Sequence, residues 1–148
     1  MTRLPLKISG SRVTVRATLI SPGIPRSRPI EMIVDTGSSS VVLSQKDAEV
    51  LGIAVAGLPR SESARLGFGG RMDAGVLNNV LLGLKDSEDR SYTVPLQTIV
   101  VNRATSLKKQ NERQVYSIPS ILGTDVLVAG DLALFAHINK GVAHFDHT

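Results

Sequence analysis

The stretch Ile33-Val34-Asp35-Thr36-Gly37-Ser38-Ser39-Ser40-Val41-Val42-Leu43 decides how the chain is read. Ile30 to Val34 is a short apolar run and reads as a buried strand. It leads directly into Asp35-Thr36-Gly37, three residues suited to a tight turn, and Val41-Val42-Leu43 resumes the apolar pattern. An acidic turn is thus bracketed by two buried strands. Taken alone, Asp-Thr-Gly is a weak signal, and Asp35 is equally well explained as an ordinary turn residue. In this setting Gly37 permits a sharp reversal, and the strand holds the carboxylate in place. If a two-fold axis joined two such loops, the two carboxylates would share one proton. One could then serve as general base on a water and the other as general acid toward a carbonyl.

Outward from this loop the pattern is mainly β. Between Leu4 and Ile20, Val13, Val15, Ala17 and Leu19 alternate with Thr14, Arg16 and Thr18, the period of a half-buried strand. Ser21 to Pro29 is a Pro- and Gly-rich loop. Ser44 reads as the N-cap of a short helix that ends at Gly52. Ala64 to Leu84 reads as two strands around Gly67-Phe68-Gly69-Gly70, a hairpin tip. Lys85 to Arg90 is a charged turn, and Tyr92 to Val101 a strand interrupted by Pro95. Asn102 to Gln114 reads as a polar loop. Ile118 to Leu122 is apolar, and a second short helix starts at Gly123-Thr124-Asp125 with Thr124 as its cap. Leu132 to Ile138 and Gly141 to Phe145 read as a closing hairpin turned at Asn139-Lys140-Gly141. The expectation is one domain over residues 1–148, a closed β-barrel with two short helices.

Composition narrows the function classes. Aromatics make up only 3% and Trp is absent, which disfavours modules that stack bases on aromatic side chains. The net charge of +4 is scattered, densest at Arg103, Lys108, Lys109 and Arg113, and reads as a solvated surface. Nucleic acid is therefore not an expected partner. With no cysteine there is no thiolate nucleophile, disulfide or Cys-ligated metal. The start, Met1 to Lys7, lacks the apolar stretch of a signal peptide, and no apolar run has spanning length, so a cytoplasmic location without membrane contact is expected.

Two segments together resemble the retropepsin-like aspartic proteases, the family of retroviral proteases and their cellular relatives. The first is Ile33 to Ser44 with the helix ending Leu51-Gly52-Ile53. The second is Ser120-Ile121-Leu122-Gly123-Thr124-Asp125-Val126-Leu127, whose Gly123 stands 88 positions after Asp35, with the glycine-rich hairpin between. The resemblance implies a closed acid-protease barrel with a flap hairpin, and a homodimer that hydrolyses peptide or protein substrates without a cofactor. It makes Asp35 the catalytic acid and Thr36 a tie to the partner's loop. Gly37 becomes the point of close substrate approach. Gly67, Phe68, Gly69 and Gly70 become the substrate-binding flap. Ile121, Leu122 and Gly123 become the strand crossing beneath the active-site loop, and Asp125 a structural anion. Ser38 stands where many retroviral enzymes carry Ala. Its hydroxyl is expected to donate to Asp35, favouring the ionised form and moving the activity optimum toward acid. The second helix lacks the Arg that viral enzymes use between subunits. The C-terminal stretch Val142 to Thr148 is accordingly a candidate for pairing within its own subunit.

Other constellations carry less. His144, Asp146 and His147 lie too close along one strand to converge on a metal, and read as exposed terminal residues. His137 reads as a strand residue. Gly67 to Gly70 lacks the helix and Lys of a phosphate loop, which leaves a flap or a plain hairpin. Two alternatives to the peptidase stay open. One is a catalytically silent peptide-binding or dimerisation module of the same fold. The other is a regulatory domain bound to another protein.

Overall fold

The computed structural model describes residues 1–60, 65–67, 70–104 and 119–148. Among the described residues, eleven strands and two α-helices follow in the order β1 (Thr2–Pro5), β2 (Lys7–Ser9), β3 (Arg12–Ile20), β4 (Pro29–Val34), β5 (Val42–Leu43), α1 (Gln45–Val50), β6 (Arg65–Gly67), β7 (Gly70–Lys85), β8 (Ser91–Ala104), β9 (Ser120–Leu122), α2 (Thr124–Ala129), β10 (Ala133–His137) and β11 (Val142–His147). The larger sheet has the order β2-β3-β4-β9-β5-β8-β7-β6. It closes on itself where Thr18, Leu19 and Ile20 of β3 pair with Gly83, Leu82 and Leu81 of β7. The ring β3-β4-β9-β5-β8-β7 is the expected closed barrel.

The alternation of β3 puts Val15, Ala17 and Leu19 inside. They meet Met32, Leu43, Leu82, Ile99 and Leu122 in one apolar cluster. Each fully buried Leu there contributes about 1.5–3 kcal/mol relative to an exposed one. With so few aromatics, that aliphatic interior supplies most of the driving force.

The N-terminal region up to Ile20 is divided into three strands, β1, β2 and β3. β2 and β3 form a hairpin in which Ser9 pairs with Arg12. β1 turns away to pair with β11, from Thr2 with His147 to Pro5 with His144. β10 flanks β11 on its other side, and the β10–β11 turn uses Gly141 at φ +68°, a left-handed conformation that suits glycine. The chain's two terminal strands are therefore paired within the subunit.

The β7–β8 hairpin changes its buried face midway. Val80, Leu82 and Leu84 are buried in one half of β7, but Leu77 in the other. On β8 the switch runs from Val94 and Leu96 to Ile99 and Val101. A one-residue change of phase moves every following side chain to the opposite face. Asn79, at φ 56°, sits at the switch, and Asn tolerates this conformation better than most residues. One hairpin can then close the barrel at its base and reach β5 and β6 further along.

Pro95 does not interrupt β8. It is exposed and pairs with Leu81, while β5, the strand on the other edge of β8, begins only at Val100. A residue without an N–H is tolerated where one edge lacks a partner. β8 also runs on through Asn102 to Ala104, so the stretch read as a polar loop begins as strand. The remainder of that stretch, with Lys108, Lys109 and Arg113, lies outside the described residues.

Candidate active site

β4 delivers Asp35 at its end, and the backbone holds it there. The Asp35 N–H donates to the Leu122 carbonyl at 3.0 Å, continuing the parallel β4–β9 pairing one residue beyond Val34 and Leu122. The Ser38 N–H donates to the Asp35 carbonyl at 3.1 Å. The Gly37 N–H donates to Asp35 Oδ1 at 2.8 Å. An Asp side chain that bonds the N–H two residues on closes a compact turn. A side chain at Gly37 would press on Asp35, since a Cβ there would lie 3.1 Å from Oδ1. Asp35, Thr36 and Gly37 are all exposed in the single chain.

The second segment lies directly against this loop. β9 sits between β4 and β5, parallel to β4 and antiparallel to β5 at Val42–Ile121. Ile121 and Leu122 thus form the strand between the two arms of the Asp35 loop. Gly123 follows where the backbones meet: a Cβ there would lie 2.6 Å from the Ser40 carbonyl oxygen and 2.7 Å from that of Ser38. α2 then holds the loop from below. The Thr124 N–H donates to the Ser38 carbonyl at 2.9 Å, and Thr124 Oγ1 donates to the same oxygen at 3.3 Å. Asp125 Oδ2 accepts from the Val41 N–H and Oδ1 from the Val126 N–H, each at 2.9 Å. Thr124 is the first residue of the helix and not its cap; the N-cap is Gly123, without a side-chain bond. The Thr124 hydroxyl is directed to the loop instead.

Burial pushes the Asp125 carboxyl above its ordinary range, and the Val41 and Val126 N–H groups only partly oppose this. The folded state therefore binds the Asp125 proton more tightly than the unfolded chain. This contribution to stability is full below the ordinary Asp range and is lost as pH rises through the folded value. In Asp125→Asn one amide oxygen must replace two acceptors, and an NH2 group faces an N–H. We expect a loss of about 1–3 kcal/mol at low pH. The gap to wild type should narrow as pH rises, and thermal melts across about pH 3 to 7 check both points. A gap that widens with pH would contradict the reading.

Ser38 differs from expectation. Its hydroxyl donates to the Ser40 carbonyl at 2.8 Å, within the loop, and not to Asp35. Ser38→Ala should therefore leave any pH–rate profile in place and cost about 0.5–1.5 kcal/mol of stability. An acid limb displaced by a full pH unit would restore the direct contact.

A buried polar knot escaped the sequence reading. Ser120 is fully buried; its Oγ accepts from the Ser44 N–H at 2.9 Å and donates to Asp47 Oδ2 at 2.6 Å. Ser44 Oγ caps α1 by accepting from the Asp47 N–H at 3.1 Å. The knot ties α1 to β9, and hence to the strand beneath Asp35. The cap was visible in Ser44-Gln45-Lys46-Asp47; the link to Ser120 spans 76 positions and has no local signal.

On the glycine-rich hairpin, Gly67 pairs with Gly70 as β6 returns into β7, and Phe68 and Gly69 lie outside the described residues. Among the described residues no cluster of three or more His, Asp or Glu could hold a metal ion, and no helix is long and apolar enough to cross a membrane. His144 is not an exposed terminal residue. It is buried, stacked on Phe135 at 5.0 Å, with Nε2 at 3.2 Å from Asp146 Oδ2. Arg3 pairs with Asp146 at 2.9 Å and holds its carboxyl below the usual range. His147 lies against Tyr92 with ring centroids 5.4 Å apart, and His137 is exposed on β10, accepting from the Lys140 N–H.

A family profile described as aspartyl protease matches residues 15–126. Among solved structures, a retropepsin-like aspartic protease from Rickettsia conorii is similar over 97% of this chain and 98% of that one, with a TM-score of 0.59 at 16% identity. The EIAV protease, solved with an inhibitor, matches 80% of this chain and 88% of that one, with a TM-score of 0.44 at 17% identity. No curated protein matches the chain.

Proposed function

Because the chain belongs to the aspartyl protease family, we propose that it is an aspartic endopeptidase whose active site forms when two copies bring their Asp35 carboxylates together. The carrying observation is the Asp35 loop itself: an exposed carboxylate on a turn pinned by Leu122, Thr124 and Asp125. Such pinning costs conformational freedom, and it is useful where a reacting group must be held in register. One chain supplies one such carboxylate, so the pair requires a second copy.

In the pair, the ionised carboxylate takes a proton from a water as its oxygen bonds to the peptide carbonyl carbon. The protonated carboxylate gives its proton to the carbonyl oxygen. The resulting diol collapses: the amide nitrogen takes up a proton, the C–N bond breaks, and a free acid and a free amine leave. No metal or covalent intermediate is required. Thr36, exposed beside Asp35, would bond the partner's loop, and Gly37 would let the substrate backbone approach. Gly67 to Gly70 would form the flap that closes over an extended peptide.

The test is digestion of a peptide library from about pH 3 to 8, with wild type and Asp35→Asn in parallel. Cleavage by wild type alone supports the proposal. Peptide binding without cleavage at any pH, unchanged in Asp35→Asn, would favour the silent binding module.

A further inference from the structure

We propose that Arg12, assisted by Lys7, is a specificity-determining residue that selects peptides carrying Asp or Glu within about three residues of the cut bond. The inference rests on the reading that Asp35 hydrolyses peptides, and it adds the chemistry of the peptide being cut.

Backbone register places the two cations. Lys7 pairs with Thr14, Thr14 with Ile33, Ile33 with Ile121, Ile121 with Val42, and Val42 with Val100. Residues directly opposite one another on neighbouring strands share a face of the sheet. None of the aliphatic residues in this row belongs to the core cluster, whereas their chain neighbours Met32, Leu122, Leu43 and Val101 do. The row therefore lies on the face of the barrel turned away from its core. Asp35, two residues after Ile33, follows on that face. The register that sets Thr14 opposite Ile33 brings Arg12 level with Asp35, one strand away.

A peptide bound at Asp35 must run over this face. Further along it the charges balance, since Arg16 stands opposite Glu31. Arg12 and Lys7 have no such counterpart. Their partners across the β2–β3 hairpin are Ser9 and Thr14, both cations are exposed, and among the described residues neither forms an ion pair. Thr14 stands between Lys7 and Ile33, buried, and its Oγ1 has no hydrogen-bond partner among the described residues. Buried polar atoms are rarely left unpaired, so this end of the row favours an incoming acceptor. A carboxylate supplies it, and a guanidinium can grip both of its oxygens at once. Strands lie about 4.8 Å apart and an extended peptide advances about 3.3 Å per residue, so a cation one strand from Asp35 reads side chains close to the cut.

The test compares peptides that differ only by Glu or Gln at each of the three positions on either side of the cut, at a pH above the ordinary Asp and Glu range. At the position read by Arg12, wild type should favour Glu about tenfold in kcat/KM. Arg12→Gln should bring that ratio below about twofold, and added salt should erode it in wild type. Arg12→Glu should reverse the preference and favour Lys over Glu. Arg28→Gln removes another exposed cation, at the far end of β4, and should keep the wild-type ratio. Circular dichroism checks that each variant is folded, and binding of the same peptides to Asp35→Asn is measured in parallel. Wild type that cleaves Glu and Gln peptides equally, or a Glu preference that survives in Arg12→Glu, would overturn the proposal and leave the peptidase standing. Glu-selective binding that depends on Arg12, with no cleavage by wild type, would remove the peptidase and keep the acidic preference. Neither cleavage nor Glu-selective binding would overturn both.

Discussion

Asp35→Asn should lower kcat/KM on any cleaved peptide by on the order of 10³-fold or more, about 4 kcal/mol in transition-state stabilisation. The substitution keeps the shape of the side chain, and its oxygen can still accept from the Gly37 N–H that now donates to Oδ1 at 2.8 Å. Folding and peptide binding should therefore change little, and the loss should fall on kcat. What the amide cannot do is take up the water's proton and return it. Because both copies carry the change, the general base and the general acid disappear together. A tandem in which one copy is wild type and the other carries Asp35→Asn sharpens the test. It should be nearly as inactive, because a single carboxylate cannot share a proton across the axis. Turnover by Asp35→Asn within tenfold of wild type would sink the mechanism.

Gly123→Ala should disable the site through its support. The added Cβ meets backbone atoms only: the Ser40 carbonyl oxygen at 2.6 Å, the Ser38 carbonyl oxygen at 2.7 Å and the Ser40 carbonyl carbon at 2.8 Å. None is the end of a flexible side chain, and the Ser38 oxygen is already held by Thr124. Either the loop or the start of α2 must move. Overpacking of this kind costs about 1–3 kcal/mol, which lowers the melting temperature by roughly 5–10 °C. A loop displaced by a fraction of an ångström also misplaces Asp35, and loss of activity near 10²-fold is expected even in the folded fraction. Gly57→Ala is the control. A Cβ there meets nothing within 4 Å, and stability should change by no more than about 0.5 kcal/mol. Equal effects at Gly57 and Gly123 would show that the close approach is not the cause.

These two effects differ in how far sequence alone reaches them. Asp35 is legible because its neighbours in the chain create its setting: an apolar strand before it, a turn-forming Thr36-Gly37, and an apolar strand after it. Ser44, the short helix behind it and the hairpin closing at Gly67 and Gly70 are local in the same sense. The Ser38 contact was misjudged because its choice of acceptor depends on the fold of the loop. The hydroxyl finds the Ser40 carbonyl two residues on, within the turn, before it can reach the carboxylate. The continuity of β8 through Pro95 was hidden for a related reason. A proline breaks a strand only if the lost N–H had a partner, and partners are assigned by the sheet.

By itself, then, the sequence determined the strand-turn-strand around Asp35, the Ser44 cap of α1, the turn at Gly141, and the aliphatic alternation that makes a barrel possible. Those features arise from groups a few residues apart, where backbone sterics and side-chain period suffice. The tertiary structure alone decided that β9 enters between β4 and β5, that Gly123 must lack a side chain because two carbonyls occupy its place, and that Ser120 ties to Asp47. It also decided that the terminal strands pair within the subunit and leave β10 at the edge. Each of these joins segments far apart in the chain. Their energy comes from excluded volume and buried hydrogen bonds that exist only once the barrel has closed.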